Sequence, residues 1–254
     1  MSMYFYVILL NLGLYYLTDN FITNPMDQGY AHALLIAFII VVSPYAVRFI
    51  YRNNLRITSS VVPSNIPVYL VRGVGSNAIT FGGITGATII VGNGVLDAGV
   101  SMRDAVLLHE VGHARESHAL FICLYVVALN IIYGFLGNMA SSGTQSSISF
   151  LTWAFGTVVG TAIGFIPLLI ELGIIRYFEK RADMYAARRG YAIALIEFLI
   201  RFAAANENTW YRKVFNLMSS HPLTTRRCEY LLEASENMPK KKGEILITLI
   251  QFKN

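Results

Sequence analysis

Four apolar stretches, separated by segments that carry nearly all the charge, set the rhythm of this chain. The first covers about 3–17. The second covers about 32–47 and stops at Arg48, with Ser43 and Pro44 placed to kink it or set its exit. The third and fourth come from one block, since no Asp, Glu, Lys or Arg occurs from Ser117 to Ile170. At about 1.5 Å per helical residue this block can cross a ~30 Å hydrocarbon core twice. Its middle, Gly137 to Ser147, is polar and turn-rich and predicts the return loop, leaving spans of about 119–136 and 150–175. The first stretch is short against the roughly 20 residues that a span needs. It also lacks the basic start and small-residue cleavage site of a secretory signal.

The intervening segments follow other periods. Pro67–Val71 and Thr88–Val91 are β-branched, flanked by Gly, Ser and Pro, and predict strands. Ala105, Leu108 and Val111 form an apolar stripe of helical spacing, with Ser101 placed to cap the helix and Asp104 three residues on. Ala192 to Ala205 predicts a packing helix, with Glu197 and Arg201 at i and i+4. The Lys240-Lys241-Lys242 run reads as solvated linker or as a contact for anionic lipid. Gly243 to Phe252 fits either a strand or a segment lying on the membrane.

Composition agrees with a membrane protein: 55% of residues are hydrophobic, 14% are charged, and mean hydropathy is +0.51. Soluble domains carry about a quarter charged residues. The net charge of +5 does not indicate nucleic acid, because its distribution is topological. Every Lys and Arg lies in 48–115 or 176–253, and the loop between the first two spans carries only Asp19 and Asp27. By the positive-inside rule both termini, residues 48–118 and residues 176–254 are cytosolic, and the two hairpins at 1–47 and 119–175 span the bilayer. Glu171, late in the fourth span, fits the cytosolic interface. Cys123 and Cys228 form no metal or redox motif.

The chemistry is carried by His109-Glu110-Val111-Gly112-His113, an H-E-x-x-H pattern. Residues i and i+4 share a helix face, so both histidines can point a ring nitrogen at one zinc ion (one per chain). Glu110 is then placed to take a proton from a water acidified by the metal. A catalytic zinc needs a third protein ligand, and Glu179, in Glu179-Lys180-Arg181-Ala182-Asp183, is the best candidate. Asp183, one turn on, is placed to orient a ligand histidine through its free N–H. His118, five residues after His113, is expected to face elsewhere as an interfacial histidine.

Two spans, an H-E-x-x-H helix, two more spans and a Glu-x-x-Ala-Asp helix together resemble the HtpX heat-shock proteases of bacteria and archaea. They are similar, more distantly, to the CAAX prenyl proteases of the same gluzincin superfamily. The resemblance runs from the first span to about residue 233. It implies an α+β fold: a mainly helical integral membrane protein with about four transmembrane helices and a cytosolic zincin-type domain bearing a small β-sheet. Asn77-Ala78 resembles the family's edge-strand motif, which implies a role in binding substrate. Ser220-His221-Pro222, with Arg227 six residues after His221, resembles the late His-Pro segment. That implies an oxyanion-stabilising role for His221 and active-site support from Arg227. Ile79-Thr80-Phe81 departs from the family pattern. The implied activity is zinc-dependent endoproteolysis of membrane or misfolded proteins at the cytosolic face. Alternatives are a selective prenyl-protein processing protease and a catalytically silent zinc-binding membrane scaffold.

Overall fold

A computed structural model describes residues 22, 24–83, 86–143, 150–202 and 222–236 of the chain. The first apolar stretch at 3–17, His221 and the tail at 240–254 lie outside the described residues. The elements in order are α1 (Pro25–Ile50), β1 (Arg56–Ile57), β2 (Val68–Leu70), β3 (Ala78–Gly83), β4 (Gly86–Val91), α2 (Asn93–Asp97), α3 (Val100–Arg115), α4 (His118–Gly143), α5 (Phe150–Ala186), α6 (Ala192–Phe202) and α7 (Thr224–Glu236). The protein is mainly helical with a small mixed sheet.

Two described helices, Met26–Ile50 and His118–Leu136, are long and apolar enough to cross a membrane, each with a mean hydropathy of 2.3. The first is longer than the 32–47 expected. It starts at Asn24, whose side chain accepts from the Met26 N–H at 3.0 Å, and it passes through Pro44 to Ile50. Proline deprives the carbonyl four residues back of its donor. Here that carbonyl belongs to Ile40, and the Ser43 hydroxyl donates to it at 3.2 Å. The Ser-Pro pair thus repairs itself and the helix continues. Residues 137–143, expected in a loop, continue α4 instead.

The sheet has the order β1-β2-β4-β3; β2 and β4 are parallel and the other pairs antiparallel. The two strands expected from β-branched runs are β2 and β4. β4 is buried on both faces, which is why its sequence reads as a continuous rather than alternating apolar run. Ile89 and Val91 enter a core shared with α3, α6 and α7. Ile90, on the opposite face, packs with Val47 at the base of α1. Arg48 completes this joint, donating to the Thr88 hydroxyl at 2.9 Å and to the Ala87 carbonyl at 2.8 Å.

The helix bearing H-E-x-x-H begins at Val100 after Gly99, whose φ of 97° is the left-handed turn, so Ser101 lies inside the helix and does not cap it. α3 packs closely on α5 at Gly112. A Cβ there would stand 3.0 Å from Ala182 Cα and 3.0 Å from Tyr185 Cβ. Gly112→Ala is therefore expected to destabilise the fold by about 1–3 kcal/mol through overpacking against backbone. Thermal unfolding checks this, and an unchanged midpoint would contradict it.

Candidate metal centre

Helical spacing on α3 and α5 brings three donors together. His109 Nε2 lies 3.2 Å from His113 Nε2 and 3.6 Å from Glu179 Oε2, and His113 Nε2 lies 3.5 Å from Glu179 Oε1. The ligand atoms of all three residues fall within 4.8 Å of one another. In a tetrahedral zinc site with bonds of ~2.1 Å, neighbouring ligand atoms stand ~3.4 Å apart, so the donor set fits zinc. The pocket is also electron-rich, with two imidazole nitrogens and a carboxylate that is only 2% exposed converging on one point.

Each histidine is held from behind. Asp183, on the same face of α5 as Glu179, places Oδ1 2.8 Å from His109 Nδ1. Arg227 of α7 grips that carboxylate with both ends of its fork, donating from Nη2 to Oδ1 at 2.7 Å and from Nε to Oδ2 at 2.8 Å. The Tyr230 hydroxyl also donates to Oδ2. Burial works to raise the Asp183 pKa, but the Arg227 charge and the His109 contact outweigh it and hold the carboxyl well below the usual carboxylate range. An ionised Asp183 requires a proton on His109 Nδ1, which leaves Nε2 as a lone pair facing the metal position. Burial opposes a charge on His109, yet the Asp183 bond and charge raise its pKa. Burial dominates at His113 and pushes its pKa down to about 3, so this ring is neutral.

The second support was not expected. Ser117 adopts a φ of 52°, ending α3 and redirecting the chain into α4, so that the periodicity of α3 does not reach His118. His118 accordingly does not face elsewhere: it is 1% exposed, stacked on Phe178, with Nδ1 2.9 Å from His113 Nδ1. Its Nε2 lies 3.0 Å from Glu116 Oε2, which also accepts from Arg181. Burial works against ionisation of Glu116, but Arg181 and His118 lower its pKa. The carboxylate needs a proton on His118 Nε2, so in the neutral ring Nδ1 accepts, His113 Nδ1 donates, and His113 Nε2 keeps its lone pair. Two chains of polar contacts, one from Arg227 through the 2.8 Å Asp183–His109 ion-pair contact and one from Arg181, thus favour the same tautomer for both histidines. Replacing His118 with Leu is expected to weaken zinc binding by about 10–100-fold, the usual effect of losing a partner of a metal-ligating histidine. Competition with a chromophoric chelator measures this, and parent-like affinity would remove His118 from the support.

Glu110 is buried beside the histidines, and Thr80 of β3 approaches it. The Thr80 hydroxyl is 2.6 Å from Glu110 Oε2 and 3.0 Å from the Glu110 carbonyl oxygen. It has one proton, and the shorter, charge-assisted bond to the carboxylate is the stronger. The departure from the family pattern at Ile79-Thr80-Phe81 therefore places a hydroxyl on Glu110. Asn77 and Ala78 lie at the start of β3, the outermost strand beside β4, and Asn77 is exposed. Glu171 is buried within α5.

The fold is similar to that of the solved Ste24p of S. mikatae, with a TM-score of 0.60 and 17% sequence identity. The likeness takes in 90% of this chain and 63% of that one, so this chain spans less than two thirds of the length of that structure. Comparison with curated proteins gives no match. Residues 55–235 match peptidase family M48, a stretch that begins at β1, ends in α7 and contains every residue of both supporting chains. By that match, which takes in the histidine–glutamate cluster, the chain belongs to peptidase family M48.

Proposed function

We propose that this protein is a membrane-embedded zinc endopeptidase that cleaves membrane or misfolded proteins at the cytosolic face. The observation that carries the reading is the placing of His109, His113 and Glu179 donor atoms at tetrahedral ligand spacing, with the Glu110 carboxylate beside them. His109 Nε2, His113 Nε2 and a Glu179 oxygen would hold the zinc. A zinc ion there supplies Lewis acidity, polarising a peptide carbonyl and lowering the pKa of a water. Glu110 accepts the proton of the attacking water and returns it to the leaving amine, while Thr80 aims the carboxylate. Asp183, backed by Arg227, keeps His109 oriented. His221, outside the described residues, is assigned by resemblance to the developing oxyanion, and Asn77 and Ala78 to an extended substrate pairing along the outer edge of β3.

The orientation rests on the confinement of every basic residue to 48–115 and 176–253. Four spans are proposed: 3–17, α1, α4 and the apolar part of α5. Casein cleavage by the purified chain tests the activity. It is expected to stop with a strong chelator and return with zinc; chelator-resistant cleavage would refute the metal mechanism. Cysteine labelling of intact cells tests the topology. A probe that cannot cross the membrane should reach cysteines placed at 144–147 and not at Ser59 or Ser60, and the reverse pattern would overturn the orientation.

A further inference from the structure

We propose that the cavity between the end of α5 and the start of α7 binds the phosphodiester headgroup of an anionic phospholipid. This rests on the placement of α5 across the membrane and is independent of peptidase chemistry. The cavity has a volume of about 270 Å³ and is lined by Arg176, Tyr177 and Lys180 from α5 and by Leu223, Arg226 and Tyr230 from the α7 side. Arg176 is the first basic residue after the long charge-free block, and Lys180 follows it by one helical turn on the same face. Arg226 faces them from the first turn of α7. Arg176, Lys180 and Arg226 thus share a small space, and none of the described residues lining it is a carboxylate. Lys180 lies over the Tyr230 ring, 5.4 Å from its centroid. Neither Lys180 nor Arg226 forms an ion pair with a carboxylate among the described residues. An anion with several acceptor oxygens relieves the repulsion between Lys180 and Arg226 and takes hydrogen bonds from ammonium and guanidinium together.

The apolar surface below the cavity points to a lipid rather than a soluble phosphate. Ile166, Ile170, Gly173 and Tyr177 fall at intervals of four, three and four, so they form one stripe along α5 that leads into the cavity. Ile166 is 58% exposed, Ile170 49% and Tyr177 56%. Gly173 adds a notch, since a Cβ there would meet nothing within 4 Å. An acyl chain can lie along this stripe while its headgroup sits among the cations. Basic pockets at the cytoplasmic ends of membrane helices recognise anionic headgroups in this way. Because α5 carries Glu179 and Asp183 while α7 carries Arg227 and Tyr230, the bound headgroup would bridge the two elements that build the Asp183 support.

Native mass spectrometry of the full chain in neutral detergent tests the proposal, with phosphatidylglycerol and phosphatidylcholine as probes. Phosphatidylglycerol is expected to be retained over phosphatidylcholine. The double variant Lys180→Gln, Arg226→Gln should weaken phosphatidylglycerol binding roughly thirtyfold, from the loss of two cations. About 0.5 M salt should erode the preference in the parent, which keeps the test decisive if circular dichroism shows the double variant misfolded. Equal retention of the two lipids, a preference indifferent to salt, or full binding by a folded double variant would each overturn the site. Displacement of phosphatidylglycerol by millimolar inorganic phosphate would overturn the lipid assignment in favour of a soluble phosphate. Alkaline carbonate extraction of membranes reads the integral-membrane state of the chain, on which the placement of α5 depends. Release of the chain would sink the placement and the lipid site together, whereas retention without headgroup preference would sink the lipid site alone.

Discussion

Glu110→Gln is expected to leave the protein folded and zinc-loaded while reducing kcat/KM for an unfolded protein substrate by at least about 10²–10⁴-fold, the range for a lost general base. The amide has the shape of the carboxylate, and its oxygen can still accept the Thr80 hydroxyl now 2.6 Å from Glu110 Oε2. What disappears is the ability to take a proton at that oxygen. Paired measurement of turnover and metal content separates the two roles. Cleavage near the parental rate would show that Glu110 is not the base, and loss of zinc would show that it is a ligand.

Glu179→Ala should act at the other point, with a fall in zinc affinity beyond the ~10–100-fold seen when only a ligand's hydrogen-bonding partner is lost. Glu179 is almost wholly buried, and it contributes the oxygens 3.5 and 3.6 Å from the two histidine nitrogens. Asp183→Asn makes the comparison informative. It keeps the metal donors but strands the buried Arg227 guanidinium, so the expected cost is mainly stability, about 3–5 kcal/mol, as for a broken buried ion pair. Zinc titration and denaturant unfolding of the two variants should therefore rank them in opposite orders. Full zinc occupancy in Glu179→Ala would require another third ligand.

The donors were legible in the sequence because each pair lies within one helix. His109 with His113, and Glu179 with Asp183, are read from a four-residue spacing that the helices of α3 and α5 preserve. That Asp183 faces His109 was also readable, once both helices were assumed to serve one metal. His118 was not, because its position depends on Ser117 leaving helical geometry, and no periodicity survives such a turn. Thr80 is visible in sequence as a departure from the family pattern, but its bond to Glu110 depends on how the sheet stacks on α3. Strands β2 and β4 were visible from β-branched runs, whereas the sheet order is set by tertiary packing. Ser101 does not cap α3 and residues 137–143 stay helical, because local propensity yields to the Gly99 turn and to the continuity of a long apolar helix.

The turn at Ser117 has a consequence for where cleavage can occur. His113 lies just before this turn and α4 begins just after it, while Glu179 follows Arg176 by three residues, about 4.5 Å of helix rise. With α4 and α5 crossing the bilayer as proposed, both halves of the metal centre are tied to it by short, stiff connections. On the proposed function the protein would then work as a depth gauge. Peptide bonds are accessible within a thin layer just above the lipid surface, and a substrate's susceptibility depends on how far its extended segment stands from its own last membrane-embedded residue. Lengthening a substrate's juxtamembrane segment should move the cut along its sequence while keeping its height above the membrane constant.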